Sequence, residues 1–302
     1  MTVERERTAD GTIARVATIF LTGKECPWRC TMCDLWQETL ETDTPPGAIA
    51  RQIEGTWGRR PADCTTVKLY NAGSFFDPHA VPDGDYVAIA DALNGARHVI
   101  VESHPSLVGL RTMRFRDLLQ SRAARAGDAP SLEVAMGLET CHPEALERLN
   151  KRMTTTDFGD AAKRLRDNDI ALRVFLLISP PFIPPAEQDA WLTASVDFSL
   201  ACGASVISII PTRAGNGALD AIADDGEFAE PDLSKVERSL ELAIGRVTGS
   251  GARVLADLWD LPRFSRCPTC AADRLARLAT MNLTQVVGPA PSCADCGEGP
   301  AR

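Results

Sequence analysis

The chain has 302 residues and a net charge of −9, long enough to bury a large apolar core in one or two α/β domains. An acidic balance argues against a nucleic-acid grip, which draws most of its affinity from neutralised phosphates, so a small-molecule substrate is expected and nucleic acid is not. No apolar run approaches the ~20 residues that span a bilayer, and the N-terminus MTVERERTADGT has no apolar signal core. A cytoplasmic protein with no membrane partner is expected.

Residues 1–12 read as a polar N-terminal tail. Seven candidate strands follow, at 13–21, 66–71, 98–103, 132–138, 171–178, 205–210 and 253–258. Runs such as VKLYN, VIVES and LRVFLLI are short, nearly continuous and rich in branched residues, the pattern of parallel strands covered on both faces. Helical patterns lie between them at 46–57, 85–93, 113–126, 143–149, 157–168, 185–201 and 232–248. This alternation implies right-handed βαβ units and a parallel sheet. Six units precede the tail. The expected fold is α/β, a partial (β/α)6 TIM-type barrel over 13–258, with an open doubly wound sheet as the alternative. A small Cys-rich extension occupies 259–302. The basic stretch 111–125 reads as the solvated face of a helix. The Gly- and Asp-rich stretch 214–230 reads as a lid or substrate loop.

Ten cysteines would be unusual as disulfides in a reducing compartment, and seven of them fall in tight clusters, which suggests metal. Cys26-Pro-Trp-Arg-Cys30-Thr-Met-Cys33 directly follows the strand at 13–21. In a barrel, that is the face where chemistry happens. Three thiolates can hold three irons of a [4Fe–4S] cube and leave the fourth iron open. Zinc prefers four ligands, and no fourth is adjacent. In the tail, Cys267-Pro-Thr-Cys270 and Cys293-Ala-Asp-Cys296-Gly make a second set. Four thiolates suit either an auxiliary [4Fe–4S] cluster, the leading expectation, or a closed structural zinc site. Cys64, Cys141 and Cys202 read as small apolar residues. Glu102 and His104 end the third strand and are expected to face the barrel cavity as candidate catalytic residues.

The Cys-x-x-x-Cys-x-x-Cys spacing after a first strand resembles the signature of the radical S-adenosylmethionine (SAM) superfamily. The ordered motifs YNAGSFFDP, VESHP, VAMGLET, LNKRMT and LLISPPF, spanning roughly 13–210, resemble the archaeosine synthase and elongator catalytic subunit branch. The resemblance implies that SAM binds the open iron of the first cluster. It implies cleavage to methionine and a 5′-deoxyadenosyl radical, which takes hydrogen from a substrate. It also implies an electron donor such as flavodoxin or ferredoxin. By the same resemblance, Met32 packs near the adenine, and Asn71, Gly73 and Ser74 edge the SAM ammonium. Here Ala-Gly-Ser stands where the family often has Gly-Gly-Glu, so the family's carboxylate contact is missing. Glu139 is assigned to the ribose hydroxyls, and Lys151, Arg152 or Arg173 to the SAM carboxylate. Ser179-Pro-Pro181 lies where relatives place an edge against the adenine. The expected reaction is hydrogen abstraction from a small, nucleoside-like molecule, with sulfur insertion from the auxiliary cluster as the first class to test. The alternatives are tRNA-base modification of the archaeosine type and a non-catalytic zinc-binding adaptor.

Overall fold

The computed structural model describes residues 1–123 and 129–297. Eight strands form one sheet in the order β1 (Thr2–Arg7), β2 (Ile13–Leu21), β3 (Thr66–Asn71), β4 (His98–Glu102), β5 (Ser131–Glu139), β6 (Ala171–Ile178), β7 (Ala204–Pro211) and β8 (Arg253–Ala256). From β2 to β8 every pairing is parallel, and β1 lies antiparallel on β2. The helices are α1 (Ala48–Trp57), α2 (Tyr86–Ala92), α3 (Leu110–Ala123), α4 (Pro143–Arg148), α5 (Thr155–Arg166), α6 (Gln188–Ala201), α7 (Ala218–Asp224), α8 (Leu233–Val247) and α9 (Pro268–Thr284). The result is an α/β, nearly closed barrel-shaped sheet with a Cys-rich C-terminal extension, as the sequence pattern implied. All seven expected strands form. Of the expected helix 113–126, residues 124–126 lie outside the described residues.

The strands divide their side chains between two faces. Val67, Leu69, Val99, Val101, Val134, Met136, Val174 and Leu176 belong to the apolar core between sheet and helices. The alternating residues Lys68, Tyr70, Glu102, Glu133, Arg173 and Phe175 therefore occupy the concave face. Helices close over the apolar layer with stripes at helical spacing. α1 buries Ile49, Ala50, Ile53 and Trp57, and α5 buries Phe158, Ala161, Ala162 and Leu165. Sharp starts fix their positions. Thr154 and Asp157 form a capping box at α5, and Asp232 accepts from Lys235 N at 2.9 Å to cap α8.

Three segments depart from the sequence reading. Within the stretch read as a tail, Thr2–Arg7 forms β1. Its Glu4 and Glu6 pair with Lys68 of β3. Arg173 Nη2 lies 3.0 Å from Glu6 Oε2, and Arg173 Nε lies 2.6 Å from Glu133 Oε1. Arg173, named above for the SAM carboxylate, thus stands near the start of β6, at the end of the barrel away from the cysteine loop, with two carboxylates already on its guanidinium. The loop 214–230 contains a short helix, α7. Finally, α9 runs 17 residues and fills the seam between β8 and β1. Its Asn282 amide bonds Ala256 N and O, both at 2.8 Å. Gln285 does the same to Val254 N and O, at 2.8 and 2.7 Å. Two side chains three residues apart thereby satisfy the β8 edge, where a further strand would otherwise be needed.

Candidate active site

The cysteine loop leaves the C-terminal end of β2. Its base is pinched where Leu40 N donates to Gly23 O at 2.8 Å and Glu25 N to Leu40 O at 3.1 Å. Three other loops hold it. Asn150 Nδ2 donates to Trp28 O and Arg29 O, both at 3.1 Å, and Thr31 N donates to Leu149 O at 3.0 Å. Asn216 Nδ2 donates to Thr31 O at 2.9 Å from the loop after β7. Trp28 stacks on His104 with ring centroids 4.1 Å apart. Cys26, Cys30 and Cys33 are half-buried in this frame, and none is in a disulfide. Burial pushes all three thiols up, Cys33 to about 11. A metal bound there must displace protons, so loading is favoured as pH rises.

The residues around the loop fit a cluster with a bound ligand. Asn71 is buried, and neither polar atom of its amide has a hydrogen-bond partner. A buried amide with no partner requires an explanation, and a polar ligand supplies one. Gly73 backs directly onto Cys26: a Cβ there would sit 3.6 Å from the Cys26 Cα. Across the mouth, Lys151 Nζ lies 2.6 Å from Glu139 Oε1, both largely buried. Burial works against the Lys151 charge, but Glu139 and Cys30 carry its pKa above the ordinary range. Glu139 has φ 67° beside a register shift in β5, and a side chain on Gly137 would collide with the Glu139–Lys151 pair. Non-glycine residues with positive φ gather on these mouth loops, at Glu139, Asn150, Arg152, Ser179 and Phe182. Such strain is characteristic of functional sites.

The two catalytic candidates differ. Burial raises the Glu102 carboxyl to about 7, with Lys151 opposing and Glu139 adding. His104 is engaged by the scaffold. Its Nδ1 accepts from Ser106 N at 3.2 Å, so Nε2 carries the proton and donates to Lys151 O at 2.9 Å. Burial lowers it to about 4. Its own N–H donates to Ser74 Oγ at 2.7 Å, which ties the β3 and β4 loops together. Cys26, Cys30, Cys33, Asn71, Gly73, Ser74, Glu102, His104, Glu139 and Lys151 thus gather at one mouth. Met32 is half-buried on the loop itself. Arg152 is exposed and reaches only Asn150 Oδ1, at 3.4 Å.

Sequence reading missed the clamps Asn150 and Asn216. It also missed a polar group just past the ends of β7 and β8. There Arg213 Nη2 bonds Asp257 Oδ2 at 2.8 Å and Trp259 O at 2.7 Å, beside the exposed Trp259 ring. Position one or two residues beyond a barrel strand was the available signal. The Asn150 clamp has a direct test. Losing its two bonds costs about 2 kcal/mol, so in Asn150→Ala a metal held by the three thiolates should be lost to a chelator roughly thirtyfold faster. Arg152→Ala should not change that rate.

No family model matches the chain. It is 25% identical to archaeosine synthase subunit beta of Methanosarcina acetivorans over 303 residues, covering 95% of this chain and 84% of that protein. Its fold is that of Elp3 from Methanocaldococcus infernus (TM-score 0.58, 13% identity, 90% of this chain and 64% of that one). It is also that of coproporphyrinogen III oxidase from Escherichia coli, a radical SAM enzyme (TM-score 0.51, 12% identity, 78% of this chain and 52% of that one). The chain resembles radical SAM enzymes of the archaeosine synthase and Elp3-like branch, in agreement with the order of its motifs. No helix among the described residues is long and apolar enough to cross a membrane.

Proposed function

We propose that this enzyme of the radical SAM class reductively cleaves SAM at Cys26, Cys30 and Cys33 and directs the radical at a small molecule. The observation that carries the reading is the three-thiolate loop, clamped from three sides, with the unpartnered Asn71 amide beside it. Bound there, a [4Fe–4S] cluster supplies the electron that splits SAM into methionine and a 5′-deoxyadenosyl radical.

The chain's own groups then hold and shield. The Asn71 amide and the backbone at Gly73 are the polar edge on which the amino acid part of SAM rests. Lys151 is the fixed positive charge facing its carboxylate, kept in place by Glu139. Glu102, with a carboxyl pKa near 7, can hold or release a proton at its side-chain oxygen close to neutral pH. The 214–230 loop, anchored by Asn216 on the cysteine loop and by Glu227 on Arg148, excludes water from the mouth. Phe20 stands exposed beside Tyr70, which packs edge-on against Phe175 at 6.0 Å. With Arg213, Asp257 and Trp259 at the rim, these groups suit a flat, polar, nucleoside-like molecule. The electron comes from a flavodoxin or ferredoxin. Sulfur insertion drawn from the tail cysteines would further require an iron–sulfur cluster there.

The likeness to an archaeosine synthase subunit supports a second reading, tRNA-base modification, and the −9 net charge weighs against it. Absence of tRNA binding at low salt would remove that reading. The primary test is anaerobic reconstitution with iron and sulfide, followed by SAM and dithionite. A brown protein that forms 5′-deoxyadenosine is expected. A colourless, iron-free protein that forms none would leave only the zinc-binding adaptor.

A further inference from the structure

The geometry points to a single zinc ion, in place of an auxiliary iron–sulfur cluster, at Cys267, Cys270, Cys293 and Cys296. Among the described residues, this is the group of potential ligands whose donor atoms all lie within 4.8 Å of one another. Cys267 Sγ is 3.8 Å from Cys293 Sγ, and Cys270 Sγ is 3.8 Å from Cys296 Sγ. Four sulfurs at about 2.3 Å from one zinc stand about 3.8 Å apart along the edges of the tetrahedron. A cube of four irons, each with its own thiolate, spreads those sulfurs to about 6 Å. The tail therefore has the spacing of one small ion.

The surroundings agree with a closed structural site. Cys267 stands at the N-terminus of α9, where the helix dipole favours a thiolate ligand. Gly297, after the second pair, takes φ +69°, a left-handed turn that glycine adopts without strain. Thr269 Oγ1 donates to Asp295 Oδ2 at 2.6 Å and ties the two knuckles directly. The Arg274 guanidinium donates to Cys270 Sγ at 3.3 Å and pairs with the buried Glu237 of α8. A charged donor on a thiolate orients the ligand and offsets the net negative charge of a zinc tetrathiolate. The ion thus pins the chain end to the helix that seals the barrel seam. It stores no electron and holds no sulfide, so any sulfur placed in a substrate must come from outside this site.

The test uses the full chain, purified and reconstituted anaerobically with excess iron and sulfide, with metals counted by mass spectrometry. About one zinc per chain is expected to survive beside about four irons. Zinc-edge X-ray absorption should show four sulfurs at about 2.3 Å. Cys293→Ser should reduce zinc at least tenfold and leave the irons in place. About eight irons without zinc, a nitrogen or oxygen shell, or zinc undiminished in Cys293→Ser would each overturn the inference. Because absorption is read on the unaltered chain, a variant that fails to fold does not remove the test. The inference is independent of SAM cleavage: zinc without iron would keep it and defeat only the radical reading.

Discussion

Cys30→Ala should leave the mouth of the barrel without a stable iron cluster and reduce 5′-deoxyadenosine formation at least a thousandfold, roughly 4 kcal/mol of barrier. Each of the three thiolates would serve one iron, and the loop offers no fourth cysteine as a substitute. Cys30 is the central member, and its thiol feels Lys151 and Glu139 across the mouth as well as Cys26. Cys141→Ala is the matched control. Cys141 lies past the end of β5, where its backbone N donates to Ser195 Oγ at 2.9 Å. Iron content by colorimetric assay and nucleoside yield by chromatography should both fall in the first variant and hold in the second. Undiminished cleavage by Cys30→Ala would contradict the assignment of the cluster.

Arg173→Met is expected to lower stability by about 3–5 kcal/mol, because it removes the guanidinium shared by Glu6 and the buried Glu133 and leaves each with one remaining partner, Lys68 and His98. For a chain of this size that is a fall of roughly 5–8 °C in melting temperature. Burial raises the Glu6 carboxyl, but Arg173 and Lys68 overcome this and hold it down at about 2; Glu133 is held lower still, by Arg173 and His98. Both folded values lie below those of the unfolded chain. Their stabilisation is therefore complete above the ordinary carboxylate range and is lost as pH falls from about 5 toward 2. In the methionine variant the two carboxylates, now short of positive charge, gain by protonation. The gap in melting temperature between the two proteins should then close on acidification, as calorimetry from pH 7 to pH 3 would record. Adding Glu133→Leu should restore part of the loss at neutral pH. A gap that stays constant with pH would locate the stabilisation elsewhere.

This ion network also marks where sequence reading stopped. The seven parallel strands were legible because burial on both faces leaves continuous apolar runs. β1 left no such trace, since TVERER turns glutamates inward onto Lys68 and Arg173. Those cations are 62 and 167 residues from Glu6, beyond any local pattern. Arg173 was placed correctly in a strand but given a role at the mouth. Its position near the strand start already assigned it to the opposite end. The three mouth cysteines were legible because their spacing is local. Asn150 and Asn216 were not, because their partners are backbone carbonyls 122 and 185 residues away, and carbonyls carry no sequence signal. His104 was a fair candidate by position, and only its three bonds reveal a scaffold role.

The paired amides of α9 have a mechanical consequence. Elsewhere around the wall, neighbouring segments are stitched by ladders that must rupture cooperatively. At β8 the backbone edge is met by Asn282, on α9, and Gln285, just past its end. Opening that joint would break these amide bonds and the packing of Leu278 and Met281, but would leave the strand ladders themselves intact. The wall is thus closed in two ways, by ladders between strands and by side chains at one seam.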